Sequence, residues 1–193
     1  MLKETVTTCR SYRRFDEAER IPHDLLVDLV DTARIVAASA NQQVIKYALF
    51  STPEECAALF PNTAWAGALP DWDGPAEGER PTGYIVLLRD ADLVMNDKFT
   101  AWDEGIAAQT IMLAATEAGF GGCMIGSFKR KSVTELCQVP GNLEADLVLA
   151  LGKPVEEVHL VGKREDGSVK YYRDENQVHY VPKRALDEVL VKQ

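Results

Sequence analysis

Arg10-Ser11-Tyr12-Arg13-Arg14-Phe15 places three guanidinium groups within five residues of a chain whose formal net charge is −9. A guanidinium is a planar fork of donors that matches phosphate bidentately. Ser11 adds a short hydroxyl donor between the first two arginines. The plain alternative is a solvated basic turn paired with Asp16, Glu17 and Glu19, the usual fate of a charge run. The rest of the chain decides between the two.

A length of 193 residues fits one domain, 1–193, with room for a real core. An apolar fraction of 46% and a charged fraction of 26% are those of a globular chain and exclude disorder. No apolar run approaches the roughly 20 residues that span a bilayer, so no membrane association is expected. Met1-Leu2-Lys3-Glu4-Thr5 lacks the apolar centre of a signal peptide, which implies a cytoplasmic protein. The acidic balance argues against nucleic acid, which needs a broad basic surface. Cys9, Cys56, Cys123 and Cys137 are scattered, and His23, His159 and His179 show no ligand-like spacing with them. No metal is expected, and the thiols should be reduced and mostly buried.

Outward from the arginines, residues 3–8 read as a short helix. Ile21-Pro22-His23-Asp24 opens a second, with proline where its missing N–H is harmless and Leu25, Leu26, Leu29, Val30 and Ala33 on one face. It runs to about Val36 and closes on Ser39, Asn41 and Gln43. Val44 to Phe50 reads as a strand and Pro53 to Leu59 as a helix. Residues 61–81 hold four prolines, three glycines, Trp65 and Trp72, the composition of a functional, lid-like loop. Thr82 to Arg89 is a buried strand, and Phe99 to Ala118 a long helix whose alanines permit close approach by a neighbour. Gly119 should cap that helix, and the glycines of Gly119-Phe120-Gly121-Gly122-Cys123-Met124-Ile125-Gly126 let backbone approach something flat. Lys131 to Cys137 is a helix and Leu147 to Leu151 a strand. From about Glu156 the chain is charged and irregular, before a final helix over Ala185 to Val191.

There is no G-x-G-x-x-G, no Walker loop, no G-x-S-x-G elbow and no pair of carboxylates in an apolar frame. What remains is arginines at one end, Lys183 and Arg184 at the other, an amide-rich helix end and a glycine-lined strand. These suit a ligand with a phosphate, a hydrogen-bonding edge and a broad planar face, as flavin mononucleotide (FMN) has.

The order of these segments resembles the nitroreductase family of FMN-dependent oxidoreductases over essentially the whole chain. Arg10-Ser11-Tyr12-Arg13 is similar to the last four positions of that family's Arg-Arg-Ser-x-Arg opening, and Ser39-Ala40-Asn41-Gln42-Gln43 resembles its Asn-x-Gln-Pro stretch. Asp103 to Ala118 resembles its central helix, Gly119 to Gly126 its G-x-G-x-C-x-I-G strand, and Lys183 and Arg184 its C-terminal basic residues. Cys9 stands where the family often has an arginine, and Val44 where a proline commonly follows the glutamine.

The resemblance implies an α+β fold: a mixed central sheet surrounded by helices, a long central helix, and a C-terminal arm (about 156–193) wrapping a partner subunit. It implies a homodimer with FMN at the interface, and ping-pong transfer from NAD(P)H through flavin N5 to a nitroaromatic or quinone. Arg10, Ser11, Lys183 and Arg184 would hold the phosphate and ribityl region. Ser39, Asn41 and Gln43 would hold the polar edge or ribityl chain, and Met124, Ile125 and Gly126 would face the ring. Arg13 would stabilise reduced flavin, and no side chain need act as a nucleophile. A protein that stores flavin without turnover, and a non-flavin interaction domain, are the rival expectations.

Overall fold

The apolar run Tyr84-Ile85-Val86-Leu87-Leu88 is the spine of the molecule. In the computed structural model, which describes residues 1–69 and 72–192, it forms β3 (Gly83–Asp90), and Arg89 alone in that strand is not buried. A strand covered on both faces needs apolar side chains at every position rather than alternate ones. Alternation still sorts them. Ile85 and Leu87 enter one core with Leu26, Leu29, Ile111 and Leu149, while Tyr84, Val86 and Leu88 enter another with Leu59, Val133 and Val148.

β2 (Ile45–Phe50) pairs with β3 on one side, and the 12-residue β5 (Leu143–Pro154) on the other, both antiparallel. β5 outruns its partner and also carries β4 (Gly121–Ile125) and, at its end, β1 (Phe15–Asp16). The result is a five-stranded sheet.

Helices α1 (Leu2–Thr8) and α2 (His23–Arg34) precede β2, and α3 (Pro53–Leu59) follows it. α3 starts where Thr52 Oγ1 accepts from the Glu55 N–H at 3.2 Å while Glu55 accepts the Thr52 N–H at 2.9 Å, a reciprocal cap. α4 (Asp97–Glu117) starts where Asn96 Oδ1 accepts the Lys98 N–H at 2.9 Å, so it begins two residues before Phe99. Ala107, Ala108 and Ala115 give it a thin inner face against the sheet, and Phe99, Trp102 and Ile106 leave an apolar outer stripe exposed. Gly119, at φ +79°, ends the helix as the sequence predicts. α5 (Arg130–Cys137) covers the second core.

The α+β expectation holds. The last quarter differs from it in detail. β6 (Val158–Gly162) pairs in parallel with β8 (His179–Lys183), and β7 (Tyr172–Arg173) pairs antiparallel with β8, forming a three-stranded sheet where irregular chain is expected. These strands are too short, and the segments between them too charged, for a period of two to stand out against their turns. The final helix is only α6 (Leu186–Val189). Residues 70 and 71 of the 61–81 loop and residue 193 of the arm lie outside the described residues. Among those described, no helix is long and apolar enough to cross a membrane.

Candidate functional site

The Arg10–Arg13 stretch runs alongside the start of β4. The Tyr12 N–H donates to the Gly122 carbonyl at 2.9 Å, and Ser11 bridges to the same glycine. So close an approach requires residues without side chains. A Cβ on Gly121 would stand 2.7 Å from the Tyr12 ring, and one on Gly122 would strike the Ala150 carbonyl oxygen. Those two glycines therefore serve packing between strands. At Gly126 a Cβ would meet nothing within 4 Å, so there the backbone lies open.

Two cavities adjoin along this wall. The first, about 310 Å³, is lined by Arg10, Ser11 and Arg13, by Met124 of β4, by Gln109 of α4, and by His179, Val181 and Lys183. The last three alternate along β8 and so share one face of it. The second, about 180 Å³, lies between Cys123–Ser127 and the loop residues Ala64–Gly67, including the buried Trp65. Arg13, Met124 and Tyr171 line both cavities and form the partition. The Arg13 guanidinium sits 5.0 Å from the centre of the Tyr171 ring, in cation–π contact.

Beneath the partition lies a charged hub that sequence reasoning does not reveal. Glu156, buried, accepts the Arg13 N–H through Oε2 at 2.7 Å. Its Oε1 takes Arg173 in an ion pair and lies 3.3 Å from His179 Nδ1. Burial by itself would raise this carboxyl, but the His179 and Arg13 N–H donors and the Arg173 charge hold it below the usual range. Arg173 also stacks at 4.2 Å over Trp72, tying the 61–81 loop to the C-terminal segment. Cys123, fully enclosed, has its thiol pushed up to about 12 by burial, which suits an inert core residue. Among the described residues no His, Cys, Asp and Glu side chains cluster as a metal site.

The remaining expected residues sit elsewhere. Ser39 donates through both N–H and Oγ to Asp103 Oδ1, each at 2.8 Å, which fixes the turn Ser39–Asn41 to α4. Asn41 and Gln43 have positive φ, and Gln43 lines a third cavity of about 410 Å³ with Val30, Arg34, Tyr47 and Asp103. Within one chain, Ser39, Asn41 and Gln43 line neither of the two cavities beside Arg10. Arg184 is exposed and outside them, and Arg14 is taken by Glu79 at 2.7 Å.

Two polar atoms beside the first cavity, Arg10 Nε and His179 Nε2, are buried with no hydrogen-bond partner among the described residues. A cationic end at Arg10, Ser11 and Lys183, with an open backbone edge at Gly126, suits an elongated ligand that is anionic at one end and flat at the other.

The model of the nitroreductase family matches residues 6–153. The fold is shared with a Desulfovibrio desulfuricans protein solved in complex with FMN, at TM-score 0.70 and 17% identity, over 100% of this chain and 96% of that one. It is shared with the nitroreductase family protein of Streptococcus pneumoniae TIGR4, at TM-score 0.69 and 15% identity, over 86% and 96%. The NfrA1 nitroreductase of B. subtilis, at TM-score 0.65 and 23% identity, matches over 81% and 67%.

Proposed function

The chain belongs to the nitroreductase family, and from that premise we propose that it is an FMN-dependent oxidoreductase with its cofactor in the two cavities flanking Arg13. One observation carries the reading. Arg10, Ser11, Arg13 and Lys183, from opposite ends of the chain, converge on a cavity that adjoins the open backbone at Gly126. When bound there, FMN would take a hydride from NADH or NADPH and pass electrons to an electron-poor acceptor such as a nitroaromatic or a quinone.

Arg10 and Lys183 would clamp the phosphate, with Ser11 adding a hydroxyl donor. The fit of the group rests on the orphaned Arg10 Nε and on the space beside Gly126. Arg13, fixed at its backbone by Glu156, would keep a cation beside the ring, where it favours negative charge. Met124, Ile125 and Gly126 would flank the planar face, and the loop bearing Trp65 would screen it from water.

Ser39, Asn41 and Gln43 find no place in this chain's own cavity. We assign them to the cavity of a second copy, in a homodimer joined partly through the exposed Phe99, Trp102 and Ile106 stripe. The arm from about 156 would wrap that copy, with Arg184 reaching into the shared cleft. Four free thiols suit work in the cytoplasm.

The test is direct. Purified protein should be yellow or take up FMN, and the bound flavin should bleach with NADH or NADPH under anaerobic conditions. A folded protein that binds no FMN would refute the proposal. Arg13→Ala should weaken FMN binding about tenfold or slow its reduction, since a charge-assisted hydrogen bond contributes about 1.5–3 kcal/mol.

A further inference from the structure

His179 is the most enclosed side chain of the cofactor wall, with 1% of its surface exposed. Its Nδ1 faces the Glu156 carboxylate at 3.3 Å. An ionised carboxylate only accepts, so Nδ1 carries the proton and donates. In the neutral ring the other nitrogen, Nε2, is then a lone-pair acceptor. It is buried and has no partner among the described residues, and a buried polar atom left unmatched costs about 1–3 kcal/mol.

Position narrows what could match it. His179 and Lys183 lie on one face of β8, and four strand steps separate them by about 13 Å. A ligand whose phosphate is held by Lys183 and Arg10 would therefore reach His179 with its opposite end. At that end stand Arg13 and Tyr171, the residues that divide the two cavities. The charged side chain that stands there, Arg13, can only donate, as can Arg10 and Lys183 at the phosphate end. The pyrimidine edge of a flavin presents an N–H between two carbonyls, so it needs one acceptor among donors.

We infer that His179, held in one tautomer by Glu156, is a flavin-binding residue whose Nε2 accepts the ring N3–H. The inference rests on the flavin reading above. The Tyr171 ring lies 5.2 Å from that of His179 and tilts against it, so the contact requires Tyr171 to turn aside and uncover the buried Nε2. His179, Tyr171 and Glu156 all lie beyond residue 153, where the family match ends.

The experiment pairs a ligand change with a residue change. FMN and 3-methyl-FMN, which lacks the N3–H, are titrated against wild-type protein and His179→Asn by quenching of flavin fluorescence. Asparagine keeps a donor toward Glu156 and removes Nε2, and thermal unfolding of the flavin-free proteins checks that the fold survives. Wild type should lose about tenfold in affinity on N3 methylation, and His179→Asn about tenfold for FMN, with little further loss for the analogue. His179→Gln, which can set an amide oxygen near the position of Nε2, should recover part of the affinity. Equal methylation losses in wild type and His179→Asn would overturn the inference while leaving the flavin reading intact. So would unchanged FMN binding by the variant. Failure of the wild type to bind any flavin would overturn both.

Discussion

Glu156 holds its charge where almost no water reaches it, so its stability contribution depends on the three donors around it. A folded carboxyl held below its ordinary range stabilises at pH values above the unfolded value, and that stability is lost as pH falls through the folded one. Glu156→Gln should therefore cost about 3 kcal/mol or more at pH 7, with the deficit shrinking toward pH 4; equal losses in denaturant melts at both pH values would rule out the charge as the source. Glu104 carries the opposite sign. Burial, aided by the Asp146 charge, raises it to about 7, so the protein loses stability as pH rises from the ordinary carboxylate range through that value. Glu104→Gln should raise the melting temperature at pH 8 and leave it unchanged at pH 4. Residues of the cavity wall that cluster along the chain, such as Arg10, Ser11, Arg13 and the Met124–Gly126 run, are legible in the sequence itself. Glu156, Tyr171 and His179 are not, because each lies in a charged stretch without a motif of its own and only the folding of the C-terminal segment brings them together. The alternation of His179, Val181 and Lys183 is the one local signal that this stretch carries.

At the level of elements, β4 shows how one glycine run divides its labour. Gly122 is pressed against the Ala150 carbonyl by the pairing of β4 with β5. Gly122→Ala should destabilise the fold by about 3 kcal/mol or leave it insoluble, whereas Gly126→Ala should leave the unfolding midpoint nearly unchanged; similar midpoints for both would contradict this division. The buried strand β3 and helix α2 are readable because each carries a strong apolar pattern, and α4 because of its length, its alanines and an end signal at Gly119, as Pro22 opens α2. The small sheet of β6, β7 and β8 is hidden because its strands are short and two of them have no buried residue to mark an inner face. The Ser39–Asn41 turn is legible as a polar helix end. Its Ser39 hydroxyl, though, is spent on Asp103, a partner that lies 64 residues away and that no local pattern announces.

The whole molecule leaves Phe99, Trp102 and Ile106 uncovered on the long helix, and the Phe99 and Trp102 rings rest 5.3 Å apart. Trp102→Glu should convert a dimer to a monomer in light-scattering measurements and lower FMN affinity together with it, since the proposed cleft draws on both copies; a variant that stays dimeric would argue for another interface. The bond from the Arg13 N–H to Glu156 closes a loop of 143 residues, and loops of that size form late because their entropy is lost before any contact rewards it. A ribosome presents Arg10 and Arg13 roughly 7–30 s before it delivers Glu156, at ordinary elongation rates of about 5–20 residues per second. During that interval the arginine stretch stands exposed with no acidic hub to seat it. Newly made chains should thus gain sheet structure first and cofactor affinity last, and free FMN should act on the closing step rather than on collapse.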